Sequence, residues 1–126
     1  QEHYYYATEN TGFQANPEGR SEATYSKYAG LDDKVDPFHF YFMLLKFGIG
    51  RATSDAAHEI REGVILREEA VRLVRRYDTE FPKKNFKVFL DYCEFTEEAF
   101  WSICERWRNL NLWEKKEGKW ALKYKV

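Results

Sequence analysis

The sequence predicts a mainly α-helical fold, a small domain of four to five helices with a C-terminal β-hairpin. Three observations lead there. Apolar residues recur three and four positions apart through most of residues 36–107, the repeat of helices with a buried face. Several of these runs begin with residues suited to opening a helix, among them Asp36-Pro37 and Thr96. Only the closing stretch "LWEKKEGKWALKY" changes to alternating apolar and polar residues about Glu117-Gly118, the pattern of a hairpin.

Residues 1–35 hold three consecutive tyrosines, Tyr4, Tyr5 and Tyr6, followed by scattered Gly, Asn, Pro and Ser. This is loop chemistry with spaced aromatics, expected as an extended arm or linker from an upstream domain and packed by its own tyrosines. The opening "QEHYYYATENTG" carries no helix or strand start signal and reads as cut from something longer.

Residues 36–126 are expected to form the helical domain. In "DDKVDPFHFYFMLLKFG", Asp36 is expected as N-cap and Pro37 at the first helical position. The run Phe38–Phe47 has almost no polar interruption, so this helix should be buried on most of its circumference; a strand is disfavoured by its length. A short helix about "SDAAHEIRE" follows, with Thr53 or Ser54 as cap. "REEAVRLVRRYD" places Ala70, Leu73, Val74 and Tyr77 on one face, with Glu68 and Arg72 as an i,i+4 pair. "PKKNFKVFLDYC" carries Phe86, Phe89, Leu90 and Cys93 inward, with Pro82 near its start. In "TEEAFWSICERWRNL", Thr96 is the N-cap and Glu97 and Glu98 favour the helix dipole. Phe100, Ile103, Cys104 and Trp107 point inward.

Composition narrows the function classes. The 126 residues are 44% hydrophobic, 18% aromatic and 33% charged, and the formal net charge is −1, so no global field attracts nucleic acid or an anionic membrane. No apolar run reaches the ~18–20 residues of a membrane span. Cys93 and Cys104 lack metal-ligand spacing and read as reduced thiols of a cytoplasmic protein; neither a disulfide nor a metal site is expected.

The stretch "KFGIGRATSDAAHEIREG" is the one that looks built for chemistry. It is neither standard nucleotide loop. Thr53 stands where G-x-G-x-x-G needs its third glycine, a helix rather than a strand precedes it, and G-x-x-x-x-G-K-[ST] is absent. A simpler anion site remains open. Gly48 ends one helix, Gly50 permits close backbone approach, and Lys46 and Arg51 flank exposed amides at the start of the next. Asp55, His58 and Arg61 then follow along one side of that helix. The bland alternative is a helix corner, with Gly48 as C-cap, Asp55 on the dipole, and His58 and Arg61 solvated.

The stretch "DDKVDPFHFYFMLLKFGIGRATSDAAHEIREG", with "REEAVRLVRRYDTEFPKKNFKVFLDY" and "TEEAFWSICERWRNLNLWEKKEGKWAL", closely resembles the C-terminal part of the N-acetyl sugar amidotransferases. These belong to the ATP-pyrophosphatase (PP-loop) superfamily and act in bacterial lipopolysaccharide O-antigen and related surface-glycan biosynthesis. The segments K-F-G-I-G-R-A-T-x-D-A, R-E-E-x-V and Y-D-x-E-F-P carry the resemblance, which runs from about Tyr4 to the C-terminus.

The resemblance implies a reaction. The acetamido oxygen of a nucleotide sugar is activated with ATP (and Mg), pyrophosphate leaves, and ammonia displaces AMP to give an acetamidino group. Ammonia is implied to come from a glutaminase and a cyclase-like subunit. The family's S-G-G-x-D-S loop and cysteine pairs are missing here and are expected upstream, in an ATP-pyrophosphatase domain of the same protein. The chain is thus expected to be a C-terminal fragment, inactive and without bound cofactor by itself. In the parent enzyme, Lys46 and Arg51 are expected to stabilise charge on the α-phosphate or departing pyrophosphate. Asp55 or His58 would position the sugar or amide, and Thr53 with adjacent amides would hold an oxyanion. Gly48, Gly50 and Arg61 complete the expected binding stretch.

Two rivals remain. Helix, turn, capped helix and hairpin also describe a winged-helix nucleic-acid module, although Glu97 and Glu98 would meet the phosphates. Exposed aromatics among Trp101, Trp113 and Trp120 would instead suit a docking platform for the ammonia-supplying subunits.

Overall fold

The computed structural model describes residues 2–126. Its helices are α1 (Glu2–Asn10), α2 (Asp36–Phe47), α3 (Arg51–Arg61), α4 (Arg67–Tyr77), α5 (Phe86–Cys93) and α6 (Glu97–Trp107). Strands β1 (Trp113–Lys116) and β2 (Lys119–Leu122) close the chain as an antiparallel hairpin, with Trp113 opposite Leu122. The fold is therefore mainly helical with a terminal hairpin, as the periodicity predicts.

The main core lies between α2, α5, α6 and the hairpin. Phe38, Leu44, Leu45, Phe89, Phe100, Cys104 and Trp113 are its buried members. Phe38 stacks on Phe89 with ring centroids 4.2 Å apart and meets Phe100 edge-on at 6.3 Å. Each buried aromatic contributes on the order of 2–3 kcal/mol from area alone. A smaller cluster of Ala56, Ala70 and Val74 joins α3 to α4, where the small side chains let the two helices approach closely.

Several local expectations are corrected. The first residues are not extended: α1 is helical, and Tyr4 stacks on Tyr28 at 4.5 Å to fix it against the arm. The rest of the arm packs on the helices. Ala23 and Thr24 are buried, and the carbonyl of Ala23 accepts the amide of Ala52 at 3.1 Å. The N-cap of α2 is Val35, not Asp36; the Asp33 carboxylate accepts the amides of Val35 and Asp36, leaving Asp36 free to pair elsewhere. Helix α3 begins at Arg51 with Gly50 as N-cap, so neither Thr53 nor Ser54 caps it. Pro82 lies outside α5, which starts at Phe86, and is fully buried. Trp107 is exposed because α6 ends there, and its ring instead receives the Lys46 ammonium at 4.7 Å.

Other expectations hold. The Thr96 hydroxyl accepts the amide of Ala99 at 3.1 Å, Gly48 ends α2 in the left-handed conformation, and both cysteines are free. Glu117 and Gly118 both have positive φ, 51° and 78°, which matches the right-handed twist of a two-residue hairpin turn.

Candidate functional site

The α2–α3 corner is built by one carboxylate that sequence reading passed over. Asp78, at the C-terminal end of α4, is 6% exposed. It accepts the amide of Gly50 at 3.1 Å, and the amide and hydroxyl of Thr53 each at 2.8 Å. The first turn of α3 thus holds an anion, and that anion belongs to the same chain. The oxyanion expected at Thr53 and its neighbouring amides is Asp78. Gly50 is glycine because a Cβ there would lie 2.6 Å from Asp78 Oδ1 and 2.7 Å from its carbonyl oxygen.

Arg51 points the other way, beneath the arm. It is 3% exposed, with its guanidinium 4.9 Å from the Phe40 ring centroid and Nη1 3.2 Å from Asp36 Oδ2. That last contact is an ion pair by distance but not a hydrogen bond, since Nε and Nη1 are both buried without a hydrogen-bond partner. Leaving a buried donor unmade costs about 1–3 kcal/mol.

The side chain forms part of the wall of a cavity of about 530 Å³. Most other charges on that wall are committed. Arg20 forms a forked pair with Glu80 at 2.7 and 2.8 Å, Lys84 pairs with Glu18, and Glu22 accepts the amides of Lys83 and Lys84. Lys34 forms no ion pair among the described residues. Arg51 and Lys34 are therefore the cations this cavity has to offer. They suit acceptor oxygens such as those of a phosphate or carboxylate.

The remaining expected residues are dispersed. Lys46 is exposed on the α6 side, over Trp107, and is not part of the wall of the cavity beside Arg51. Gly48 abuts the side chains of Leu112 and Leu122. Asp55 accepts the hydroxyl of buried Thr24 at 2.5 Å. His58 Nδ1 and Arg61 Nη2 lie 2.9 Å apart on the exposed end of α3. The corner thus does not gather Lys46, Arg51, Asp55 and His58 into one constellation.

Neighbouring groups are tuned by burial and pairing. Desolvation and then its hydrogen bond to Glu59 push the Tyr25 hydroxyl above its ordinary range, so it stays a donor. The Arg20 guanidinium holds the Glu80 carboxyl below the usual carboxylate range. Glu80 also accepts the amide of Ala23 at 2.8 Å. The sequence Tyr77-Asp78-Thr79-Glu80-Phe81-Pro82 is therefore a connector: Asp78 secures α3, Glu80 secures the arm, and Phe81 and Pro82 enter the core. No local signal marks Asp78, because Thr53 and Ser54 offer α3 a cap of its own in the sequence.

Among the described residues, no group of three or more His, Cys, Asp or Glu side chains could hold a metal ion. No helix among them is long and apolar enough to cross a membrane. The family described as "LPS biosynthesis protein WbpG-like, C-terminal domain" matches residues 22–126. No curated protein matches the chain.

Proposed function

Because this chain belongs to the family of WbpG-like C-terminal domains of lipopolysaccharide biosynthesis proteins, we propose that it serves an ATP-dependent amidotransferase of the cytoplasm. Its parent enzyme converts the acetamido group of a nucleotide-linked N-acetyl sugar to an acetamidino group. The ATP-pyrophosphatase loop and the residues that hold Mg belong to an upstream domain, and ammonia comes from glutaminase and cyclase-like subunits. The contribution of this chain is an anion-binding wall.

One observation carries the site: Arg51 is buried beside a cavity with two nitrogens that donate to nothing. Its guanidinium, held by Phe40 and Asp36, is positioned before any ligand arrives. A positioned donor in a water-poor setting stabilises phosphate charge more than a mobile surface lysine does. This favours Arg51 over Lys46 as the residue that meets the substrate's phosphates, with Lys34 as a second cation on the same wall.

The test is pyrophosphate release by the intact enzyme supplied with ATP and UDP-N-acetyl sugars. Arg51→Lys and Lys34→Ala are expected to raise KM for the nucleotide sugar or lower kcat by tenfold or more, on the order of one lost charged hydrogen bond. Rates within about threefold of the parent in both variants would remove Arg51 and Lys34 from the reaction.

A second reading draws on the outer side of α5. Val88 and Tyr92, four residues apart, are exposed together with Phe95 just beyond the helix. An apolar strip of this kind suits docking of the ammonia-supplying subunits. Tyr92→Glu would then uncouple glutamine-driven turnover while sparing turnover driven by free ammonia.

A further inference from the structure

A second cavity, about 850 Å³, lies between α2, the end of α4, α6 and the hairpin. Its wall is aromatic and only partly satisfied. Arg108 is 8% exposed, with its guanidinium 4.9 Å from the Trp113 ring centroid and 4.7 Å from that of Trp120. Its Nε makes no hydrogen bond, and neither does Nε1 of buried Trp113. The nearest carboxylate, Glu105, takes the Trp120 indole N–H at 2.7 Å and stands 3.8 Å from Arg108 Nη2. With one of its oxygens bonded and its side chain half exposed, Glu105 can accept further hydrogens.

Three kinds of ligand can be compared against this wall. An apolar ligand would leave both buried donors unmade, which is unfavourable. A phosphate would want converging free cations, whereas the charge of Arg108 is already shared between two indole rings and Glu105. A neutral polyol ring matches each feature. Its hydroxyls accept from Trp113 Nε1 and Arg108 and donate to Glu105, while its C–H face packs on the aromatic wall. Both donor atoms are buried, so a ligand would reach them through side-chain shifts of residues that already line the cavity.

We propose that this cavity binds a pyranose ring of a carbohydrate, with Trp113, Arg108 and Glu105 as its hydrogen-bonding residues. It is separate from the cavity beside Arg51, so sugar binding here stands or falls apart from the reaction proposed above.

The test uses the 126-residue chain and unphosphorylated probes, the methyl glycosides of glucose and N-acetylglucosamine, at millimolar concentration. Saturation-transfer NMR is expected to show transfer to the ring C–H protons. The chain has four tryptophans, and the indole N–H signals of Trp113 and Trp120, assigned through Trp113→Phe and Trp120→Phe, are expected to shift. Glu105→Gln, at a half-exposed position that folding tolerates, is expected to weaken binding about tenfold. Absence of transfer to the folded chain from either glycoside overturns the proposal. So does transfer that persists unchanged in both Glu105→Gln and Trp113→Phe. If inorganic pyrophosphate rather than the glycosides shifts those indole signals, the cavity is an anion site and the proposal is wrong.

Discussion

Asp78, just past the end of α4, and Thr53, in the first turn of α3, are joined by two hydrogen bonds of 2.8 Å that place a carboxylate over that turn. The corner after "KFGIG" therefore closes around an internal anion. Asp78→Ala is expected to destabilise the chain by about 3 kcal/mol, since charged, buried hydrogen bonds are lost and the amides they served are orphaned. Asp78→Asn should cost less, because one amide oxygen can still accept. Urea unfolding measures both; a loss below about 0.5 kcal/mol for Asp78→Ala would show the clamp to be dispensable.

Gly50→Ala tests the same junction from the other side. The added Cβ would lie 2.6 Å from Asp78 Oδ1, so a destabilisation of about 1–3 kcal/mol is expected from overpacking. In the Asp78→Ala background the cost should shrink without vanishing, because the Asp78 carbonyl oxygen, at 2.7 Å, remains in the way. Strict additivity of the two substitutions would separate Gly50 from Asp78.

Acid should loosen the arm. Arg20 depresses the Glu80 carboxyl from its ordinary value of 4.5, so the unfolded chain takes up this proton before the folded one does. The stabilisation is fully present above about 4.5 and is lost as pH falls through the lower folded value. Glu80→Gln is expected to flatten the acid limb of a stability–pH curve, and protection of the amides near Ala23, measured against their intrinsic exchange rates, should fall below pH 4.5 in the parent chain. An unchanged acid limb would show that the pair contributes nothing.

At alkaline pH the sign reverses. Burial pushes the Cys104 thiol from 9.0 up to about 12, so between those values the folded chain keeps a proton that the unfolded chain releases. Stability should fall as pH rises from about 9 towards 12, and Cys104→Ala should remove the earliest part of that fall. Tyr25, Tyr28 and Tyr41, also raised by burial, add to it above 10. Disulfide reagents should label Cys93 first in the native chain and Cys104 only on unfolding, because Cys104 is fully buried. Equal labelling rates for the two would contradict this.

The hairpin carries a removable strain. Glu117 sits at φ 51°, a conformation asparagine and glycine tolerate better. Glu117→Asn is expected to stabilise the chain by about 0.5–1 kcal/mol, read as a higher unfolding midpoint. A lower midpoint would mean that the Glu117 side chain makes contributions the turn geometry does not explain.

The sequence by itself determined the helices from residue 36 onward, the Thr96 cap, the Gly48 stop and the hairpin. Each follows from local periodicity or from a side chain acting on its own next turn, interactions that span only a few residues. It also held the family, through motifs running along most of the chain. Helix α1 escaped because it buries no residue and is held by a distant ring, Tyr28 against Tyr4. The start of α3 escaped because its capping carboxylate, Asp78, comes from 28 residues further along than Gly50. Only the tertiary structure decided that Arg51 and Lys46, five positions apart and alike in charge, part company. The turn at Gly48 sends one beneath the arm beside Phe40 and leaves the other over Trp107. Spacing along a chain sets direction within one helix; across a turn, the packing of other segments sets it.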